Sequence, residues 1–123
     1  GDLLEILLAT AEHRLDEIEI EYDPRPSVCV VMTAEGYPGP YEKGRPITGV
    51  ADADALEDVK VFHAGTIMSV DGDLLCNGGR VLGVTALGDT LEEAQAKAYE
   101  AVDKIHFDGA YVRRDIGSKA IGN

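Results

Sequence analysis

Basic residues are scarce in this chain of 123: 11 Lys and Arg stand against 23 Asp and Glu, a formal net charge of -12. Phosphate backbones are held by clustered Lys and Arg, so this balance argues against nucleic acid as a partner, and the acidity reads as a device for solubility. Long apolar runs are missing too. None approaches the roughly 20 residues that span a bilayer as a helix, so no membrane partner is expected. Cysteine occurs only twice. Cys29 lies in the apolar run VCVVM and Cys76 follows two leucines, so both read as small core residues rather than a disulfide pair, which predicts a cytoplasmic protein. His13, His63 and His106 are scattered without the spacing of a zinc site, and no metal ligands are assigned. There is no GxSxG elbow and no GxxxxGK[ST] phosphate loop, and no pairing of nucleophile and base can be assembled, so no catalytic residue is assigned.

What is present is the composition of a folded domain: 45% hydrophobic and 28% charged residues. A chain of this length buries roughly two-thirds of its unfolded surface, enough for one core. Leu3, Leu4, Leu7, Leu8, Ala11 and Leu15 follow helical spacing, with Asp2 as the expected cap of an amphipathic helix whose stripe needs a partner. Asp23, Pro24 and Pro26 end that pattern. Ser27 to Ala34 is a nearly continuous apolar run, predicting a strand covered on both faces. Between Lys60 and Leu87, Asp71-Gly72 and Gly78-Gly79 are turn signals, predicting three antiparallel strands. Thr90 caps a helix running to about Ile105, with Glu93 completing a capping box by reaching the Thr90 amide and Leu91, Ala94, Ala98, Val102 and Ile105 facing the core. The fold predicted is α+β, an antiparallel sheet packed by one main helix, with the opening helix belonging to a preceding domain.

Polar groups suited to a ligand gather in three places. The segment EGYPGPYEKG, Glu35 to Gly44, is too rich in Gly and Pro to continue a strand or a helix. Its Tyr37, Pro38, Gly39, Tyr41, Lys43 and Gly44 admit two readings, a stiff turn over a core edge or a ligand wall in which glycines bring backbone N–H groups to a substrate. Asn77, Gly78, Gly79 and Arg80 are either an ordinary hairpin turn or a cradle of amides beside a guanidinium fork, suited to phosphate or carboxylate. Arg113, Arg114 and Asp115 read as structural, with an arginine paired to an acid near the chain end. His63, alternating with apolar neighbours in KVFHAGT, reads as a hydrogen-bonded core histidine.

Taken in order, GYPGPYEKG, ITG, VFHAGT, NGGRVLGVTALG, AQAKAYEA and IHFDGAYVRRDIG resemble the C-terminal domain of the glycinamide ribonucleotide synthetase family, the phosphoribosylamine-glycine ligases of the ATP-grasp superfamily. The resemblance implies the rudiment single hybrid motif type of fold, with residues 1 to 26 as the end of the ATP-grasp domain plus a linker and residues 27 to 123 as the C-terminal domain. It implies an enzyme of purine biosynthesis that joins glycine to 5-phosphoribosylamine using ATP and Mg or Mn. The family's ligands for ATP and metal are expected outside this segment, whose partners are the ATP-grasp and N-terminal domains of the same enzyme, so this segment alone would be inactive. Its implied role is to close one side of the active-site cleft. The resemblance places Tyr37, Pro38, Gly39, Lys43 and Gly44 beside Asn77, Gly78, Gly79 and Arg80, and these, with Tyr41 of the same loop, are the expected substrate-binding residues. The alternative is a free-standing, non-catalytic binding or interaction module that kept the fold.

Overall fold

The computed structural model describes residues 1–122. Helix α1 spans Leu3–Ala11, strand β1 Ser27–Ala34, helix α2 Val50–Asp54, β2 Val59–His63, β3 Thr66–Met68, β4 Leu74–Cys76, β5 Arg80–Leu87, α3 Leu91–Val102, β6 Ala110–Tyr111 and α4 Ser118–Ile121. Strands β2, β5, β1 and β6 form, in that order, one antiparallel sheet, and β3 and β4 form a separate two-stranded ribbon. The architecture is α+β, with helices on an antiparallel sheet.

Asp2 caps α1 as its position demands: its carboxylate accepts from the N–H groups of Leu4 and Glu5 at 2.8 and 3.3 Å. The helix stops at Ala11 instead of reaching Leu15, which opens a separate 3-10 turn. Only Ala9 of α1 is buried, and Leu3, Leu4, Leu7 and Leu8 are 50 to 75% exposed. None of the helices among the described residues is long and apolar enough to cross a membrane.

The core lies between one face of the sheet and α3. Val28, Val30 and Met32 from β1, Val84 and Ala86 from β5, and Ala94, Ala98, Ala101 and Val102 from α3 are all buried. Alanine on the helix face lets α3 come close to β1 and β5, where a larger side chain would hold it off. Thr90 caps α3 by accepting from the Glu93 N–H at 3.2 Å. The Glu93 carboxylate takes the Asp89 N–H at 3.0 Å rather than that of Thr90, one residue beyond the predicted box. The helix ends at Val102, and Ile105 is buried beyond its end.

Four predictions need correction. Strand β1 is not covered on both faces: its residues alternate, with Val28, Val30, Met32 and Ala34 buried and Ser27, Cys29 and Val31 exposed. Cys29 is therefore a surface residue, while Cys76 is buried as expected and its thiol is pushed up by burial. His63 is exposed and hydrogen-bonds through Nδ1 to the Thr66 hydroxyl at 3.1 Å, so it is not a core histidine. Between residues 59 and 87 there are four strands, because the chain also bends at Ala64-Gly65. The short helix α2, unpredicted, packs on β2 and is held there by Asp54, which accepts from the Val61 N–H at 2.8 Å and pairs with Lys60 at 2.7 Å.

The connection entering β1 is fastened by one acid. Asp58 pairs with Lys97 of α3 at 2.9 Å and with Arg25 at 2.7 Å, and these two cations hold its carboxyl below the usual carboxylate range. Asp58 has φ 62, a conformation that Asn also tolerates, so Asp58→Asn removes charge with little change of backbone preference. A carboxyl whose pKa is depressed by folding contributes stability above the ordinary range, and that contribution disappears as pH falls through the folded value. Asp58→Asn is thus expected to lower the melting temperature at neutral pH. The gap to the wild type should begin to narrow below about pH 4, the ordinary carboxylate value, and keep shrinking as pH falls toward the depressed folded one. Melting curves with an unchanged gap down to about pH 3 would show that the ion pairs are not its source.

Candidate functional site

The two glycine-rich bends meet at one end of the sheet. The first leaves β1 and the second separates β4 from β5. Since β1 and β5 are paired antiparallel, the end of one strand necessarily lies beside the start of the other. Three backbone hydrogen bonds join them: Ala34 N–H donates to Gly79 O at 2.8 Å, Gly44 N–H to Cys76 O at 2.7 Å, and Cys76 N–H to Arg45 O at 2.9 Å. The Tyr37 ring seals the junction. A Cβ on Gly79 would stand 2.0 Å from Tyr37 Cδ2, so the ring occupies the space that any other residue at 79 would claim.

Within the first bend, Tyr37 and Tyr41 meet edge to face with centroids 6.3 Å apart, and the Tyr37-Pro38 peptide is cis. Pro38, Gly39, Lys43 and Gly44 are exposed, as are Asn77 and Arg80; Gly78 is half-buried and Gly79 buried under the tyrosine. Among the described residues, neither Lys43 nor Arg80 takes part in an ion pair. Two cations and a set of small residues thus lie on joined bends with no acid neutralising either cation. The arrangement is compatible with an anionic group and equally with an exposed turn carrying solvated cations.

A third bend takes part that the sequence reading left out. Gly65 N–H donates to Arg80 O at 2.9 Å, and Gly65 O accepts from Asn77 N–H at 2.7 Å. The segment His63–Thr66 therefore lies against the Asn77–Arg80 bend, backbone on backbone. Arg45 was missed as well. Its Nη1 donates to Asp108 O at 2.7 Å while its Nε and Nη2 hold the Glu42 carboxylate at 3.2 and 2.5 Å, which fastens the tyrosine bend to the segment before β6. The sequence signal was slight, one arginine just after a glycine-rich loop. Glu35, Glu42 and Arg45 also border a cleft of about 340 Å³, in which the Arg45 guanidinium is already engaged by Glu42.

Arg113, Arg114 and Asp115 do not join the bends as a charged group. Arg113 pairs with Asp115 at 2.7 Å and Arg114 with Asp103 at 2.7 Å, with Arg114 also 5.6 Å from the Tyr99 ring centroid. Tyr99 fixes this segment from α3 by donating to Arg113 O at 2.7 Å and accepting from Ile116 N–H at 3.0 Å. The structural reading of these three residues holds. Among the described residues, no group of three or more His, Cys, Asp or Glu side chains could hold a metal ion.

Residues 27–119 match the family model described as phosphoribosylglycinamide synthetase, C domain. A phosphoribosylamine-glycine ligase of Rhodopirellula baltica is 53% identical over 121 residues, which are 98% of this chain and 28% of that protein. One of Synechocystis is 52% identical over 120 residues, 97% of this chain and again 28% of the relative. The crystal structure of phosphoribosylamine-glycine ligase from Thermotoga maritima superposes with a TM-score of 0.71 at 38% identity, covering 91% of this chain and 27% of the larger one. The chain thus spans little more than a quarter of the length of these relatives.

Proposed function

Because this chain belongs to the phosphoribosylglycinamide synthetase C-domain family, we propose that it works as the C-terminal portion of a phosphoribosylamine-glycine ligase, closing one side of the active-site cleft. The complete enzyme joins glycine to 5-phosphoribosylamine with ATP in purine biosynthesis, in the cytoplasm. This segment is not catalytic alone. ATP and Mg or Mn are held by residues of the ATP-grasp portion, outside this segment. Residues 1 to 26 are the end of the ATP-grasp domain and a linker, and residues 27 to 123 are the C-terminal domain.

The observation that carries this reading is the junction of the two bends. Tyr37, Pro38, Gly39, Tyr41, Lys43 and Gly44 on one side, with Asn77, Gly78, Gly79 and Arg80 on the other, form a substrate-facing wall whose two cations take part in no ion pair among the described residues. The phosphate of phosphoribosylamine and the carboxylate of glycine are the anionic groups such a wall is suited to hold. Replacing the matching segment of a full-length relative with this chain should preserve ATP-dependent glycine ligation. In that chimera Lys43→Ala and Arg80→Ala should each lower kcat/KM by about 10- to 100-fold, the worth of one charge-assisted hydrogen bond. Unchanged kinetics in both would remove these residues from the site.

The exposed stripe of Leu3, Leu4, Leu7 and Leu8 also suits a free-standing interaction module. Ligation by the chimera decides against that alternative, because a module that had lost the enzyme's geometry would not support turnover.

A further inference from the structure

Lys43 stands near the end of an excursion of backbone with little support. The chain is bonded to the body at Glu35, whose N–H donates to Gly109 O at 2.8 Å, and again at Gly44, whose N–H donates to Cys76 O at 2.7 Å. Among the described residues, none from 38 to 43 makes a backbone hydrogen bond, and all are exposed. Side chains on such a stretch are free to find any opposite charge nearby. An acid, Glu42, is the immediate neighbour of Lys43, and it is Arg45 that claims it. The half-buried guanidinium of Arg45 holds the Glu42 carboxylate through Nε and Nη2 at 3.2 and 2.5 Å and gives Nη1 to Asp108 O at 2.7 Å. Such a clasp of three donors needs a planar fork, which lysine lacks. Position 109 leaves room for it: a Cβ on Gly109 would stand 2.1 Å from Arg45 Nη1.

We propose that Arg45 is a positioning residue of the ligation site, holding the Glu42 carboxylate away from Lys43 so that the ammonium stays available to an anionic substrate. The proposal rests on the function given above and adds a residue that acts on the site through another. Opposite charges on adjacent residues of an exposed loop attract each other, yet Lys43 takes part in no ion pair among the described residues, because Glu42 is already engaged. Without Arg45 that acid is released beside the substrate wall. There it pairs with Lys43 or repels the incoming phosphate or carboxylate, and either event weakens binding of the anion.

Arg45→Ala, Glu42→Gln and the double variant are compared in the chimera, with Lys43→Ala as the reference. The substrate whose KM rises in Lys43→Ala, 5-phosphoribosylamine or glycine, is the one the lysine holds. For that substrate Arg45→Ala should raise KM about tenfold with kcat unchanged, the pattern of lost binding rather than lost chemistry. KM does not depend on how much of the enzyme is folded, so a loss of stability is not mistaken for it. Glu42→Gln alone should stay within about threefold of the wild type, and its addition to Arg45→Ala should bring KM back into that range. A purely structural clasp gives no such recovery, since removing its second end leaves the loop no better held. A double variant as impaired as Arg45→Ala, or a wild-type KM in Arg45→Ala while Lys43→Ala binds poorly, would overturn the role of Arg45 and leave the proposed function standing. Wild-type kinetics in Lys43→Ala would overturn the role of Arg45 together with the place of Lys43 in the site, and a chimera that does not ligate would overturn the function itself.

Discussion

Gly65→Ala should lower stability by about 3 kcal/mol, at the upper end of the ordinary cost of forcing atoms into a packed site. A Cβ at this position would lie 2.5 Å from Gly78 Cα, 2.6 Å from Arg80 O and 2.8 Å from Gly78 N. All three are backbone atoms of the second bend, so no side chain can swing away to make room. The bends must move apart, which strains the hydrogen bonds from Gly65 to Arg80 and from Asn77 to Gly65. The expected melting temperature is lower by about 10 °C for a domain of this size. Activity in the chimera should fall more than the loss of folded protein explains, because the displaced segment carries Asn77 and Arg80. A variant that melts like the wild type would show that the backbones do not cross this closely.

Leu82→Ala should cost about 2 to 5 kcal/mol, the range for truncating a fully buried leucine. Leu82 is fully buried on β5 and pairs with Met32 on one side and His63 on the other, so the void left by its side chain opens in the centre of the sheet. Both flanking strands are fixed by ladder hydrogen bonds and can collapse only partly into the void. The paired control is Val31→Ala, on the bare face of the neighbouring strand, which should change the stability of the isolated chain by no more than about 0.5 kcal/mol. Denaturant unfolding of the two variants compares them directly. Equal losses would mean that both faces of the sheet are buried in the isolated chain, contrary to the alternation along β1.

Several elements were legible because their signals are local. Asp2 and Thr90 can cap only a helix that starts immediately after them, and both do. Asp71-Gly72 turns the chain between β3 and β4, with Gly72 at φ 90, a conformation glycine adopts without steric cost. The errors fall where the deciding partner is distant. The run SVCVVMTA is apolar at nearly every position, so its period does not reveal which face is covered; α3 packing on one side alone made that choice. Helix α2 has five residues, too few to hold a helix by propensity, and exists because Asp54 ties it to β2. The turn at Ala64-Gly65 lacks the usual flanking Asn, Asp or Pro, and depends on contact with Gly78.

The same division runs through the candidate site. Residue types and order along the chain were enough to nominate Tyr37 to Gly44 and Asn77 to Arg80, because Gly, Pro and a lone cation in sequence constrain the backbone and its charge whatever surrounds them. The family resemblance set the two bends side by side; that they are joined through the Ala34–Gly79 hydrogen bond, that Gly79 leaves room for the Tyr37 ring, and that Arg45 pins the loop to Asp108 were decided only by the tertiary structure. The reason is physical: turn chemistry acts over a few neighbouring residues, whereas antiparallel pairing of β1 with β5 joins positions more than 40 apart, and nothing in either bend encodes the other's place.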